Sequence, residues 1–252
     1  SGATREEARQ KMQLALAATR LQGIATNLDY LRDIIASDRF AQGLVATNFL
    51  DSFVYQPRVL EVLEAGTYTT IQDYPGRVGY WSIGVPPSGP MDDYAFRIAN
   101  RIVGNCEAAA GIEITLVGPK LKFHQDTVVA VTGAQCELWV DGEPVSMWFP
   151  LSVKAGQVLQ FGKASTGCRS YLAVRGGLDV PVYLGSRSTF VLGEFGGHAG
   201  RTLRAGDIVA IGNNEDTAGV AQPLLEPCAY PAEAVPSYGK QWEILSLIHI
   251  SE

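Results

Sequence analysis

Between residues 71 and 105 the chain sets acids, arginines and a serine among glycines and prolines. Asp73, Arg77, Ser88, Asp92 and Asn100 alternate there with Gly76, Gly79, Gly84 and Gly89, and glycines of this kind let a backbone come close to a ligand. Pro86-Pro87 stiffens the loop, and residues 88–92 lead into a helix start. Amide N–H groups at such a start, together with the helix dipole, favour an anionic or carbonyl-bearing ligand. The same residues also fit a purely structural account, in which Ser88 or Asp92 caps the helix and Asp73 with Arg77 braces a turn.

A second stretch, residues 174–200, places Arg175 before a double glycine and Ser186-Arg187-Ser188-Thr189 after Gly185. Side chains of this type can donate to a carboxylate or ureido oxygen. Glycine-rich barrel corners with solvated arginines would look alike. Metal chemistry has less support. Cys106, Cys136, Cys168 and Cys228 form no C-x-x-C pair, and His124, His198 and His249 stand apart. Four reduced, mostly buried thiols and no metal site are expected.

The elements that must carry these residues change character near residue 55. Residues 4–21 read as an amphipathic helix that opens on a Thr4/Glu7 capping box and stops at Gly23. After a short apolar run at 24–26, Asn27 is positioned to cap a helix over 28–36, and 47–53 reads as a further short helix. From Val59 onward, short apolar runs lie between Gly, Pro and Asp turns, at 59–64, 120–123, 127–131, 137–140, 158–161, 169–174 and 208–211. Asp141-Gly142 between 138–140 and 145–148 is a hairpin signal, since both turn positions tolerate positive φ. Helical spacing returns only at 91–103. These patterns predict a mainly β, barrel-like domain with one or two inserted helices, preceded by a small helical segment. Trp81, Trp139, Trp148 and Trp242 are expected in the core or at barrel ends.

The chain has 252 residues, 46% of them hydrophobic, and a formal charge of −6. That balance, with scattered Lys and Arg, argues against a nucleic-acid partner. No apolar run approaches the roughly 20 residues that cross a bilayer, and no charged-then-apolar signal opens the chain. A cytoplasmic protein is expected.

Both polar stretches carry motifs that resemble a known family. T-x-Q-D stands at 70–73, G-R-x-G at 76–79, G-V-P-x-S-G-x-M-D at 84–92, A-N-x-x-V-G-N at 99–105, V-R-G-G at 174–177 and L-G-S-R-S-T at 184–189. Together, over about residues 59–244, they resemble the allophanate hydrolase subunit 2, or KipA-like, biotin-dependent carboxyltransferases. That resemblance implies a cyclophilin-like β-barrel. Residues 4–16, 23–31 and 47–50 resemble the C-terminal end of a biotin carboxylase. This order of parts is similar to that of the urea carboxylase family; a free-standing KipA-like protein or 5-oxoprolinase subunit would lack residues 1–53. The expected organisation is an incomplete biotin carboxylase tail at 1–53 and an incomplete first half of a carboxyltransferase domain at 54–244. Residues 245–252 are expected to be a non-native tail that resembles adapter read-through, although alternating Leu245, Leu247 and His249 would also suit a strand.

The resemblance implies transfer of a carboxyl group from biotin to urea, giving allophanate, with guanidine as an alternative substrate. ATP and Mg would act in a biotin carboxylase region outside the chain, and biotin would sit on a carrier domain, because Lys11-Met12 follows Gln10 and lacks the Met-Lys-Met pattern. Expected partners are a KipI-like second half of the carboxyltransferase domain and the carrier domain. By residue chemistry and motif position, Asp73 and Asp92 would accept from urea, while Arg77, Arg187 and the Ser88–Gly89 amides would donate to carboxyl or ureido oxygens. Arg175 and Ser186 complete the candidate set, and no general base is assigned. By itself the chain is expected to turn nothing over.

Overall fold

The computed structural model describes residues 2–19, 26–53, 55–212 and 223–239. The expected helix stop at Gly23, most of the apolar run at 24–26, Trp242 and the 245–252 tail lie outside them. The chain forms two compact units, Ser1–Pro57 and Arg58–Glu252.

In the first unit α1 spans Arg5–Ala18, with Thr4 Oγ1 accepting the Glu7 N–H at 3.1 Å. Glu7 returns the bond one residue earlier than a standard capping box, taking the N–H of Ala3 at 2.7 Å. Helix α2 covers Leu28–Ala36; Asn27 precedes it without a side-chain cap. A four-residue α3, Asp38–Ala41, follows at once. The helix expected over 47–53 is only a 3-10 turn at Leu50–Ser52. Arg32 ties the first two helices by donating to the Leu16 and Thr19 carbonyls at 2.7 and 2.9 Å. Ile34, Ile35 and Phe49 are buried, whereas α1 buries no residue.

The second unit is mainly β, as its sequence pattern predicts. Its strands are β1 (Val59–Glu64), β2 (Tyr68–Gln72), β3 (Gly111–Thr115), β4 (Lys120–Phe123), β5 (Thr127–Val140), β6 (Glu143–Val145), β7 (Leu151–Val153), β8 (Val158–Val174), β9 (Leu178–Asp179) and β10 (Ile208–Ile211). Every pairing is antiparallel, in the order β2-β3-β8-β4-β1-β10-β9, with β5 joined to β6, β7 and β8.

Strand β8 holds this curled half-barrel together. Its first half pairs with β4 (Leu121↔Leu159) and its second half with β3 (Ile112↔Leu172), while β5 runs along its other edge. Four separate strands expected at 127–131, 137–140, 158–161 and 169–174 are therefore two long, bent ones. The bend falls where the β5–β8 register shifts, between Gly133 and Leu138. Gly133 has φ +87°, and a Cβ there would lie 2.5 Å from the Arg169 carbonyl, so glycine is required. The Asp141-Gly142 hairpin forms as expected, with both residues at positive φ.

The core lies inside the curl and includes Leu60, Ile71, Ile112, Leu121, Phe123, Val129, Leu159, Leu172 and Val209. A second cluster seats α4 (Asp93–Ile102) on the outside of β5 and β8: Ala95, Phe96, Ala99 and Ile102 pack on Ala130, Tyr171 and Ala173. Each large side chain buried there contributes about 1.5–3 kcal/mol. Thr132 Oγ1 donates to the Ala95 carbonyl at 2.7 Å and fixes the helix along its axis.

Two expectations about burial differ from the structure. None of the four cysteines is fully buried, and two are exposed: Cys168 within β8 and Cys228 in an irregular segment. Trp148 is buried, but Trp81 is 69% exposed, since it sits on a 3-10 turn outside the sheet. Among the described residues no helix is long and apolar enough to cross a membrane.

Candidate functional site

Strand β2 ends at Gln72, and the next residue, Asp73, is buried at 1% exposure. Its carboxylate is the hub of a latch. Oδ1 accepts the hydroxyls of Ser186 and Ser188 at 2.5 and 2.6 Å, and Oδ2 accepts the Arg187 N–H at 2.7 Å. The Asp73 N–H donates back to Ser188 Oγ at 3.0 Å. Thr189 extends the junction by donating its N–H and hydroxyl to the Ile71 carbonyl, at 2.9 and 2.8 Å. The two motif stretches are thus joined side by side. Ionised carboxylates accept such charge-assisted bonds strongly.

Arg77 is fully buried beside this latch. Nε donates to the Tyr183 carbonyl at 3.1 Å and Nη2 to the Ser188 carbonyl at 2.8 Å, and the guanidinium lies 4.8 Å over the Phe195 ring. Nη1 is buried with no hydrogen-bond partner among the described residues. Burial pulls the guanidinium below its usual range, against the opposing attraction of Asp73 and the Tyr183 and Tyr80 phenols. The group stays charged, as arginine does in proteins.

The Ser88–Gly89 turn rests on the same structure. The Arg77 N–H donates to the Pro87 carbonyl at 2.6 Å, and the Gly89 N–H to Gln72 Oε1 at 3.0 Å. Gly76 allows this approach: its φ is +85°, and a Cβ would meet the Pro87 carbonyl at 2.6 Å. Ser88 has φ +55° and is half-buried, and neither its N–H nor its hydroxyl is given to a described residue. A non-glycine residue at positive φ is uncommon, and here it leaves two donors available.

Asp92 belongs to an adjoining network. As N-cap of α4, its Oδ1 accepts the Ala95 N–H at 3.0 Å, while Oδ2 accepts the Tyr238 hydroxyl at 2.8 Å. Its own N–H donates to Tyr171 Oη at 2.7 Å; Tyr171 in turn donates to Glu113 Oε2 at 3.0 Å, which also accepts the Met91 N–H at 2.8 Å. Burial, reinforced by Glu113, raises the Tyr171 phenol well above its ordinary value; burial and the bond to Asp92 do the same for Tyr238. Glu113, Tyr171 and Tyr238 give no signal in the sequence, because each falls in an unremarkable strand or tail pattern.

Of the candidate residues, Asp73, Arg77, Ser186 and Arg187 therefore share one cluster, with Ser88 and Gly89 on its edge. Asp92 borders it through the 88–92 turn. Arg175 does not join: Nη1 donates to the Val103 and Leu225 carbonyls, both at 2.8 Å, at the far end of α4. It lines an open cleft of about 490 Å³ with Arg58, Asp126 and Lys154. The Arg187 side chain is buried, with Nε on the Val180 carbonyl at 3.1 Å. The Asp73–Arg77 ion pair considered from the sequence is replaced by these separate attachments.

A curled antiparallel half-barrel carries one helix on its outer face and a polar latch at the end of β2. Residues 83–249 match the family described as carboxyltransferase domain, subdomain A and B, and the chain belongs to that family. Residues 1–52 match the biotin carboxylase C-terminal domain. The chain is 50% identical to a urea amidolyase of Lachancea kluyveri over 96% of its own length and 13% of the relative's. The solved urea carboxylase of Kluyveromyces lactis superposes with a TM-score of 0.83 at 48% identity, over 94% of this chain and 21% of that one. A 5-oxoprolinase subunit of Escherichia coli is 43% identical over 62% of this chain and 50% of its own. The chain thus spans a small fraction of the length of the urea amidolyases it matches.

Proposed function

We propose that this chain is the part of a biotin-dependent urea carboxylase where the biotin carboxylase region gives way to the carboxyltransferase, and that the parent carboxylates a urea nitrogen to give allophanate in an ATP-dependent reaction. The observation that carries this reading is the order of parts: a biotin carboxylase C-terminal match at 1–52 and a carboxyltransferase match at 83–249 in one chain. The greater coverage by urea amidolyase, 96% against 62% for the 5-oxoprolinase subunit, supports it over the KipA-like alternative.

In this reading biotin, held on a carrier domain, supplies the carboxyl group when bound, and ATP with Mg serves the biotin carboxylase. Two features suit an incoming carboxyl or ureido oxygen: the Ser88 N–H and hydroxyl, given to no described residue, and Arg77 Nη1, without a partner among the described residues. Fixed donors of this kind stabilise developing negative charge as an oxyanion hole does. Asp92 faces urea: each of its oxygens holds one bond, so each keeps a lone pair for a urea N–H. Asp73, with Ser186 and the Arg187 amide, holds the second motif stretch against the first, and the Gly89–Gln72 bond sets the turn. The second half of the carboxyltransferase domain and the carrier domain are the partners, and the parent acts in the cytoplasm.

The test is steady-state kinetics on the purified parent with ATP and bicarbonate, reading ADP release against urea and against guanidine. Urea-dependent release with a higher kcat/KM than for guanidine is expected. Release that responds to neither compound would overturn the reading.

A further inference from the structure

Arg77 holds a full positive charge out of water with no carboxylate within ion-pair distance among the described residues. Among those residues its Nη1 is one of two buried side-chain atoms without a hydrogen-bond partner, and the other, Arg169 Nε, has the Glu113 carboxylate 3.6 Å away. Leaving a buried charged donor unsatisfied is costly, and such a group in a native fold calls for a partner.

What covers Arg77 is weakly attached. Within the 190–196 segment, the Phe195 ring lies over the guanidinium, and Gly196 passes so near that a Cβ would lie 2.8 Å from Nη2. The segment is anchored at Thr189, whose N–H reaches the Ile71 carbonyl, and at Gly197, whose N–H reaches the Arg187 carbonyl. Between those anchors its backbone hydrogen bonds, among the described residues, stay local: Phe190 with Phe195, Gly193 to Phe190, Glu194 to Val191, and Gly200 to Gly196. Its attachment to Arg77 is the Phe195 ring, which also packs on Tyr183 at 5.0 Å and Phe190 at 5.3 Å. Leu192 at the tip is 91% exposed, and Glu194 sits at φ +56°. Few outside bonds, an apolar exposed tip and a non-glycine left-handed residue mark a segment that opens more easily than the sheet beneath it.

We propose that residues 190–196 form a lid over a carboxylate-binding site whose ligand-facing group is Arg77 Nη1, with Phe195 as the latch. The ligand class is a small planar monoanion, a carboxylate or carbamate, because the outer edge of a guanidinium whose Nε and one Nη2 hydrogen are already fixed suits two oxygens side by side. This deepens the reading above and rests on it only for the carboxyl character of the ligand.

The test uses the 252-residue chain with ¹⁵N-labelled arginine side chains, titrated with sodium formate and, as a neutral control, with urea. Formate is expected to shift the Arg77 guanidinium resonances saturably and urea to leave them in place. Phe195→Ala should tighten formate binding by roughly tenfold, the factor expected if the open lid is about a tenth of the population. Should Phe195→Ala fail to fold, Phe195→Leu keeps the apolar contact without the ring and should tighten binding less. Arg77→Lys should abolish the saturable response. The proposal is overturned if formate leaves Arg77 unmoved in every variant, as a buried water on Nη1 would predict, or if affinity is the same with and without the Phe195 ring. Loss of urea turnover in the parent alongside intact formate binding would count against the urea reading alone.

Discussion

Ser186 Oγ donates to Asp73 Oδ1 at 2.5 Å across 113 residues of sequence. Ser188 Oγ reaches the same oxygen at 2.6 Å, and the Arg187 N–H takes the other at 2.7 Å. A single buried carboxylate therefore positions the whole 186–189 run, and through the Ser188 and Tyr183 carbonyls it also sets where the Arg77 guanidinium lies.

Replacing that carboxylate tests its structural weight. Asp73→Ala leaves the Ser186 hydroxyl and the Arg187 N–H buried without an acceptor, leaves the Ser188 hydroxyl only its longer bond to the residue 73 carbonyl at 3.3 Å, and removes the acid nearest to Arg77. The loss should be about 3–5 kcal/mol, from unsatisfied groups of about 1–3 kcal/mol each. Asp73→Asn should cost less, about 1–3 kcal/mol, because the serine hydroxyls can turn to accept from the amide while the Arg187 N–H cannot turn. Urea denaturation midpoints of the chain check both values; equal stability in all three proteins would remove the latch.

Ser88 separates function from fold. Its hydroxyl is bound to no described residue, so Ser88→Ala should change chain stability by no more than about 0.5 kcal/mol. In the proposed urea carboxylase parent it should lower kcat about 10- to 100-fold if the hydroxyl donates to charge that develops in the reaction. Kinetics on the parent, paired with thermal unfolding of the chain, read the two effects separately. An unchanged kcat would take Ser88 out of the site.

The legibility of this chain in its sequence follows the range of the interactions. Helix α4 was readable from Ala95, Ile98, Ala99 and Ile102, because helical periodicity is local, and the Asp141-Gly142 hairpin was readable for the same reason. The long strands β5 and β8 were read as fragments, since Gly133, Gly162 and Gly167 look like turns in sequence but serve a bend and close cross-strand contacts. Strands β2 and β3 carry no apolar run in the sequence because Thr69, Thr70 and Glu113 are polar yet buried. The polar stretches themselves were legible as motifs. Their pairing through Asp73 was not, because nothing local links residues 113 positions apart. For the same reason Asp92 looked equivalent to Asp73, although one is a half-buried helix cap and the other an interior hub.

Acid stability should depend on Asp207. Burial pushes its carboxyl up, but the paired bonds from Arg201 at 2.7 and 2.8 Å and the Arg204 N–H at 2.8 Å outweigh it, leaving the group below the ordinary aspartate range. A depressed folded-state value means the contribution is fully present above the unfolded aspartate value and is lost as pH falls through the folded one. Asp207→Asn should therefore cost about 1–3 kcal/mol at neutral pH, the range for hydrogen bonds to a charged group, and the deficit should begin to shrink as pH falls below the unfolded aspartate value of about 3.9. Guanidinium denaturation at several pH values measures it. A deficit that stays constant down to about pH 2 would contradict the assignment.

Tyr171 should govern the exit of the 88–92 turn. Its hydroxyl accepts the Asp92 N–H and donates to Glu113, so Tyr171→Phe strips a half-buried amide of its acceptor and Glu113 of a donor. The ring keeps its edge-on contact with Phe96 at 5.8 Å, so packing of α4 survives. A loss of about 1–3 kcal/mol is expected from the unsatisfied groups. Hydrogen exchange at the Asp92 amide should accelerate more than at amides of β8, which distinguishes local loosening from global destabilisation. In the wild-type chain the phenol is raised by burial and by Glu113. Its contribution is therefore complete below the unfolded tyrosine value of about 10 and declines as pH rises beyond it. Tyr171→Phe should lack that alkaline decline, and an identical fall above about pH 10 in both proteins would place the titrating group elsewhere.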